Sequence, residues 1–434
     1  MRSLLAAAWT VTSLAATTNA AHAQTAPDSL RLGAMQNEAI AVDPRSRQLQ
    51  LQAAATELRL RNVAVERLPS FTGFGQLQYQ SAVTSIAIPI PGIQIPTPPH
   101  YTYDAHVEIR QSVLDLSRTP RAALERAQLI EAQSQIRVAL FPLRQEVNDA
   151  FFSALLLQER QTQVDAAIVD LAARLGEMRI RFQQGTALPS DTALIAVTIL
   201  QRQQESVQLR NERAAAIARL AEITKRRLPD STALALPDLA PVVGTTARLL
   251  DERRRPEYAQ FEATRARLTA QSAVQAAQER PRLSMYGRVG YSLPGLDVLN
   301  TSAQSYWIAG AQLQWAPFNW GSVARERQAL DLQRDIAAAS EAAFTNSLSR
   351  ASQPLIATMA RLDTTIALDQ RIVALREQIE REAAVRLREA AITAAEFVDR
   401  SSDLTAARLL RAQHLVELAQ ARANYLTLIG VDVP

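Results

Sequence analysis

Tyr101-Thr102-Tyr103-Asp104-Ala105-His106-Val107-Glu108-Ile109-Arg110 alternates apolar with polar residues from end to end. Successive strand side chains point to opposite faces, so this stretch predicts a β-strand with one apolar and one charged face. Three other stretches follow the same rule. Leu77 and Tyr79 alternate with Gln76, Gln78 and Gln80. Leu283, Met285, Val289 and Tyr291 alternate with Ser284, Arg288 and Ser292. Ala309, Ala311, Leu313 and Trp315 alternate with Gly310, Gln312 and Gln314. Each predicted strand has about ten residues, the length of a tilted membrane-spanning strand. The four fall into two islands, about 70–114 and 283–317, and 12 of the 22 aromatic residues lie within Ser70–Asp115 or Arg282–Gly321. Such a concentration suits the aromatic girdles of a membrane barrel.

Outside the islands Ala, Gln, Arg, Leu and Glu dominate, the composition of long helices. Helix is expected over residues 28–67, 117–184, 190–225, 256–279, 322–389 and 395–429, with a turn at Gly185–Ser190. Leu171, Leu175, Met178 and Phe182 have heptad spacing, as do Leu368, Ile372, Leu375 and Ile379; both stripes predict helix-on-helix core. The two longest blocks have about 68 residues each, which at ~1.5 Å per residue reaches roughly 100 Å. Pro142 and Pro354 are expected to kink or break them. Residues 227–255 hold Pro229, Pro237, Pro241 and Gly244 and read as a small irregular module.

The chain repeats itself. Leu68-Pro69-Ser70-Phe71 matches Arg280-Pro281-Arg282-Leu283, Phe74-Gly75 matches Tyr286-Gly287 and Tyr79 matches Tyr291, all at an offset of 212. Beyond the islands, Val113–Arg118 matches Pro317–Ser322 at an offset of 204, and Arg181–Gly185 matches Arg386–Ala390 at 205. The first island therefore carries about eight extra residues, placed in the proline-crowded stretch Pro89–Pro99, which reads as a loop between two strands.

At the start, Met1-Arg2 is positive, Leu4–Ala16 is apolar and Ala21-His22-Ala23 is an A-x-A site. Residues 1–23 read as a secretory signal peptide. The chain has no cysteine, which excludes both disulfides and a lipid-bearing Cys. Past the N-terminus no apolar run reaches the ~18 residues a helical span needs. The 47 basic and 43 acidic residues interleave along helices, as on solvated faces, and call for no nucleic acid. The four histidines, His22, His100, His106 and His414, form no metal motif. Gly73-Phe74-Gly75 lies inside a strand pattern and is no nucleotide loop. No catalytic constellation is found, and no cofactor is expected.

Four strands cannot close a sheet in lipid, where no edge can stay unpaired and about eight strands is the smallest barrel. Several copies would have to pool their strands, with the attached helices forming a tube beneath. The alternatives weighed are a periplasmic structural coiled coil and a stand-alone porin.

Four motifs together resemble the TolC family of outer-membrane efflux proteins. They are Arg254-Arg255-Pro256-Glu257-Tyr258, Gln278–Ser284, Gln111-Ser112-Val113-Leu114-Asp115 and the turn Arg181-Phe182-Gln183-Gln184-Gly185-Thr186-Ala187. The resemblance spans the whole chain after the signal peptide. It implies a mixed α and membrane-β fold: a homotrimeric 12-stranded barrel in outer-membrane lipid, four strands per chain, on a periplasmic 12-helix barrel. Residues 24–226 would form the first repeat, 227–255 with the C-terminus an equatorial module, and 256–434 the second repeat. The implied role is the exit duct of a tripartite efflux pump, working with a periplasmic adaptor (membrane fusion protein) and an inner-membrane transporter, or else of type I protein secretion. The two helical tips, Gly185, Thr186, Ala187 and Leu188 with Ala390, Ala391, Ile392 and Thr393, would dock the adaptor. Glu396 and Asp399 match the family's aperture aspartates and would gate the pore. Two residues depart from the pattern: Ala390 stands where the family has Gly, and Ile392 where a basic residue is common.

Overall fold

The computed structural model describes residues 30–83, 97, 99–246, 253–297 and 300–434. The signal peptide and nearly all of the Pro89–Pro99 insert lie outside the described residues. The elements run α1 (Leu32–Val42), α2 (Pro44–Val65), β1 (Ser70–Tyr79), β2 (Tyr101–Asp115), α3 (Arg118–Leu140), α4 (Leu143–Gln183), α5 (Pro189–Thr224), α6 (Ala240–Thr246), α7 (Pro256–Ala277), β3 (Arg282–Leu293), β4 (Gln304–Gln314), α8 (Ser322–Arg388) and α9 (Ala394–Ile429). No described helix is long and apolar enough to cross a membrane.

The strands form one antiparallel meander, β1-β2-β3-β4. Its register collects every strand charge on one face: Asp104, His106, Glu108, Arg110 and Arg288 all pair with polar-face positions. Phe71, Leu77, Val107, Val289, Trp307 and Leu313 share the other face and are exposed. Near the helical end, the ladder shifts between Ser112 and Leu114. The bulge at Val113 keeps both Val113 and Leu114 off the polar face, while Asp115 returns to it opposite Arg282.

The two repeats make the same strand-to-helix joints. Gln111 Nε2 donates to Arg67 O at 3.3 Å, and its counterpart Trp315 Nε1 donates to Glu279 O at 3.1 Å. Asp115 Oδ1 accepts Ser117 N at 2.9 Å, and Asn319 Oδ1 accepts Gly321 N at 3.1 Å. In the first joint Asp115 also meets Arg121 at 3.0 Å, whose guanidinium forks onto Glu66 at 2.9 and 2.6 Å. A short carboxyl or amide side chain at this point can therefore fix the first turn of the helix below.

Three helical expectations need correction. The first block is two helices, because Pro44 has no amide hydrogen and forces Asp43 into an extended conformation (φ −63°, ψ 132°). Asp43 caps α2 by accepting Arg45 N at 2.8 Å, and hydrogen bonds from the Arg45 guanidinium hold its carboxyl below the usual range. Pro142 does separate α3 from α4, but α8 continues through Pro354 for 67 residues, about 100 Å at ~1.5 Å per residue. The stripe Leu368, Ile372, Leu375, Ile379 is exposed; α8 meets α9 through Met359, Leu362 and Ile366 instead. Heptad spacing identified an apolar face of α8 but not which of its two such faces is covered within the chain. The other stripe packs as expected through Leu171, Leu175 and Met178, leaving Phe182 exposed.

Below the sheet the helices lie side by side. Nearest it the order is α2, α3, α7, α8; farther away it is α5, α4, α9, α8. The largest core sits at the waist, where α1, the segment around Leu234 and Leu239, and the tail Val431–Val433 pack on α4, α5 and α9. The tail runs directly over α1: a Cβ on Gly33 would come 1.8 Å from Val433 O, so only glycine permits this approach. Gln158 fastens the waist segment. Its amide donates to Leu234 O at 2.8 Å and accepts Leu234 N at 2.9 Å, as a neighbouring strand would. Leu234 bridges Leu30 in parallel pairing, and Arg213 ties Gln158 to Thr232 O.

Replacing Gln158 with Ala should free both polar groups of Leu234, a local loss of roughly 1–3 kcal/mol. Hydrogen exchange at the Leu234 amide should accelerate while the protection of α4 persists. Unchanged protection at Leu234 would mean that the Leu30 bridge and apolar packing suffice.

Candidate functional site: the paired helical tips

The end of the molecule farthest from the sheet is built from two helix–turn–helix tips. At the first, α4 ends with Gly185 in the left-handed region (φ 74°). Gly185 N donates to Phe182 O at 2.9 Å and Thr186 N to Arg181 O at 2.9 Å, closing the last turn in a Schellman motif. At the second, Ala390 is left-handed (φ 57°), with Ala390 N to Leu387 O at 3.2 Å and Ala391 N to Arg386 O at 2.8 Å. Ala390 thus reproduces the glycine's backbone geometry at the cost its Cβ imposes, about 1–2 kcal/mol.

Each following helix is capped. Leu188 N donates to Asp191 Oδ2 at 3.2 Å ahead of Pro189 at the first helical position. Thr393 and Glu396 form a reciprocal capping box: Glu396 N donates to Thr393 Oγ1 at 3.2 Å, and Thr393 N to Glu396 Oε2 at 3.0 Å.

The tips are joined to each other. Leu171, Leu175 and Met178 of α4 pack with Ile195 and Ile199 of α5 and with Ala383, Ala384, Leu387, Ala394 and Phe397 of the second hairpin. Ala187 and Ile392 close the cluster from the two turns. The Arg181 guanidinium donates to Leu387 O, linking the last turns of α4 and α8. Arg174 lies over the Phe397 ring at 5.8 Å. Ile392 therefore serves the apolar cluster where a basic residue would reach outward. Gly185, Thr186, Leu188, Ala390, Ala391 and Thr393 remain exposed.

The two predicted gate residues lie on α9, both exposed. They differ in their surroundings. The Glu396 carboxylate is engaged by the capping box and shares a concavity with Glu382, Arg386 and Arg400. The Asp399 carboxylate makes no ion pair or side-chain hydrogen bond among the described residues. Arg181 belongs to the turn motif of the first tip, but its spacing gives no sign that it reaches the other hairpin 206 residues away.

Ala390→Gly should stabilise the second tip by about 1 kcal/mol, and Gly185→Ala should destabilise the first by a similar amount. Hydrogen exchange of the flanking amides, Ala391 and Thr186, would read both changes. Equal protection in Ala390→Gly and the parent would show that the strain is relieved elsewhere.

No protein-family model matches the chain, and no curated protein matches its sequence. Solved structures do. The outer-membrane channel OprN superposes with a TM-score of 0.63 at 20% identity, over 92% of this chain and 89% of that one. The outer-membrane protein VceC from Vibrio cholerae gives 0.62 at 13%, over 93% and 97%. The open state of the Neisseria gonorrhoeae MtrE outer-membrane channel gives 0.63 at 15%, over 93% and 89%. The meander, the helical layers beneath it and the two tips are thus the parts of one known architecture, and the chain has the fold of the TolC-type outer-membrane channels.

Proposed function

We propose that the chain is the outer-membrane exit duct of a tripartite efflux pump, passively conducting substrates that an inner-membrane transporter and a periplasmic adaptor deliver. The observation that carries this reading is the sheet: four strands, one outward apolar face, two unpaired edges and a helical layer about 100 Å long attached at one end. An apolar sheet face suits lipid, and closing the edges calls for further copies. Two copies would supply eight strands and three would supply twelve; the likeness to TolC-type channels favours three.

The helical layer supports the same assembly. Its flanks carry exposed apolar stripes: Leu51, Leu58 and Val65 on α2, Leu194, Val197 and Leu200 on α5, and Leu332, Ile336, Leu368 and Ile372 on α8. These flanking helices would meet those of neighbouring copies, closing the layer into a tube. The heptad spacing of the α2 stripe is that of a helix-packing seam.

At the far end, the exposed small residues of the two tips would receive the helical hairpin of the adaptor, since small side chains let helices approach closely. Glu396 and Asp399 would ring the aperture of the tube, where threefold symmetry would gather six carboxylates. Such rings select cations. Arg386 and Arg400 beside Glu396 would temper its contribution, leaving Asp399 the stronger determinant.

Tryptophan at Thr186 or Ala391 should reduce export from cells without reducing the amount of assembled protein in the outer membrane. In planar bilayers, Ala at both Glu396 and Asp399 should lower cation selectivity and abolish block by divalent cations. Export unaffected by the tip substitutions would remove the docking role, and selectivity and block surviving the double substitution would place the aperture elsewhere.

A further inference from the structure

The first strand-to-helix joint carries more charge than its geometry requires. Each joint fixes its first helical turn with one short side chain, Asp115 in the first and Asn319 in the second. At the offset of 204, Arg118 corresponds to Ser322 and Arg121 to Arg325. The second joint therefore makes the same turn with a neutral amide and a serine. Neither the carboxylate nor Arg118 is needed to turn the chain.

Three arginines converge on Asp115. Its Oδ1 accepts Ser117 N at 2.9 Å and Ser117 Oγ at 2.6 Å, and its Oδ2 accepts Arg121 at 3.0 Å. Arg118 and Arg282 stand at 3.8 and 3.9 Å, beyond hydrogen-bond reach. Glu66 gives them no relief, because both of its oxygens accept Arg121. Arg118, Arg121 and Arg282 thus share two carboxylates. Beside them Arg110 and Arg288 share one, Glu108.

Arg118 carries this imbalance inward. Its side chain is only 12% exposed. Nη2 donates to Ser112 O at 2.9 Å, while the buried Nε has no hydrogen-bond partner among the described residues. A buried donor left open is costly, and a guanidinium does not shed its proton.

A cavity of about 570 Å³ opens beside it, a size typical of small-molecule sites. Arg110, Arg118, Ser112 and Ser284 line it, and the register places Ser112 opposite Ser284 on the polar face of the sheet. The acids that line it, Glu66 and Asp115, are the two that Arg121 engages, and no histidine lines it. The exposed side chains of Val65 and Leu68 add apolar surface.

We infer that this cavity is a binding site for organic anions: a carboxylate meets Arg118 and Arg110, and a short apolar body lies on Val65 and Leu68. Guanidinium groups suit this ligand because they pair with carboxylates through charge-assisted hydrogen bonds. The inference rests on the duct reading, in which the polar face lines the lumen. Each chain then sets one such site on the wall where the sheet meets the helices, and carboxylates with apolar bodies are a permeant class of the duct. The second repeat, with Asn319 and Ser322, has no counterpart of it.

The test uses the full assembled protein in nonionic detergent, titrated calorimetrically with sodium hexanoate at constant ionic strength. The parent should bind hexanoate saturably, about tenfold more tightly than acetate because of the apolar body, and should not bind hexylammonium. Arg118→Gln should weaken hexanoate binding about tenfold, the loss of one hydrogen bond to a charged group. Arg110→Gln lies outside the joint, so it tests the same claim with the joint intact, and it should weaken binding as well. Arg325→Gln, the exposed counterpart of Arg121, should bind as the parent does. No saturable binding by the parent, or parent-like affinity in either Arg118→Gln or Arg110→Gln, would overturn the inference. In planar bilayers hexanoate should reduce the parent's single-channel current. A conducting parent whose current ignores saturating hexanoate would overturn the placement of the site on the lumen wall. Binding retained without any conductance would instead overturn the duct reading and leave the anion site standing.

Discussion

Unpaired backbone at the two edges of a four-stranded sheet is the constraint on which the rest of the structure depends. β1 and β4 each pair with one strand only, and among the described residues no strand pairs with their other sides. In water such an edge invites aggregation, and in lipid each lone group costs several kcal/mol. The sheet also displays Trp307, Leu313, Val289 and Leu77 to its surroundings. A single copy therefore satisfies neither its backbone nor its apolar face. Both deficits disappear together when copies join edge to edge within a membrane.

The helical layer carries the same incompleteness downward. Within one chain α4 and α9 are flanked on both sides, but α5, α2 and α8 have apolar residues facing outward. The internal core is concentrated at the waist and at the tips, and between them the long helices keep apolar residues exposed. The waist core joins α1, α4 and α5 of the first repeat to α9 of the second. Asn148 of α4 is fully buried there, accepting Gln36 Nε2 at 2.7 Å and donating to Thr427 Oγ1 at 3.0 Å, so three segments distant in sequence share one hydrogen-bond network. A satisfied buried network of this kind fixes register as well as adding stability.

Much of this was legible in the sequence because each strand carries a period of two and each island has a counterpart at a constant offset. The alternation in Tyr101–Arg110 foretold the charged face, and the excess of residues in the first island foretold a longer connection there. What the sequence concealed was mostly a matter of partner choice. Leu368, Ile372, Leu375 and Ile379 form a sound helix stripe, but nothing in their spacing says that α9 takes the other face of α8. Pro44 sits in a helical pattern, but its missing amide hydrogen and the capping carboxyl of Asp43 together dictate a break. At the tips, Ala390 departs from the glycine of the related turns yet adopts the same left-handed conformation. The hydrogen bonds of the Schellman motif hold the same turn regardless, since they offset much of the conformational cost. Arg181 and Gln158 could not have been singled out, because their partners are backbone groups of distant segments, and a backbone acceptor leaves no mark in a sequence. The cavity at the first joint was hidden for a similar reason: it appears only once the register sets Ser112 opposite Ser284 and α3 brings Arg118 to them.

The central claim is that the edges of this sheet are closed by other copies of the same chain. The most direct measurement is the mass of the intact complex extracted from the outer membrane in mild detergent, by native mass spectrometry or light scattering. The account predicts three copies, with strand and helix content preserved and dissociation accompanied by loss of the strands. A stable, detergent-solubilised single chain that retains its full secondary structure would contradict it.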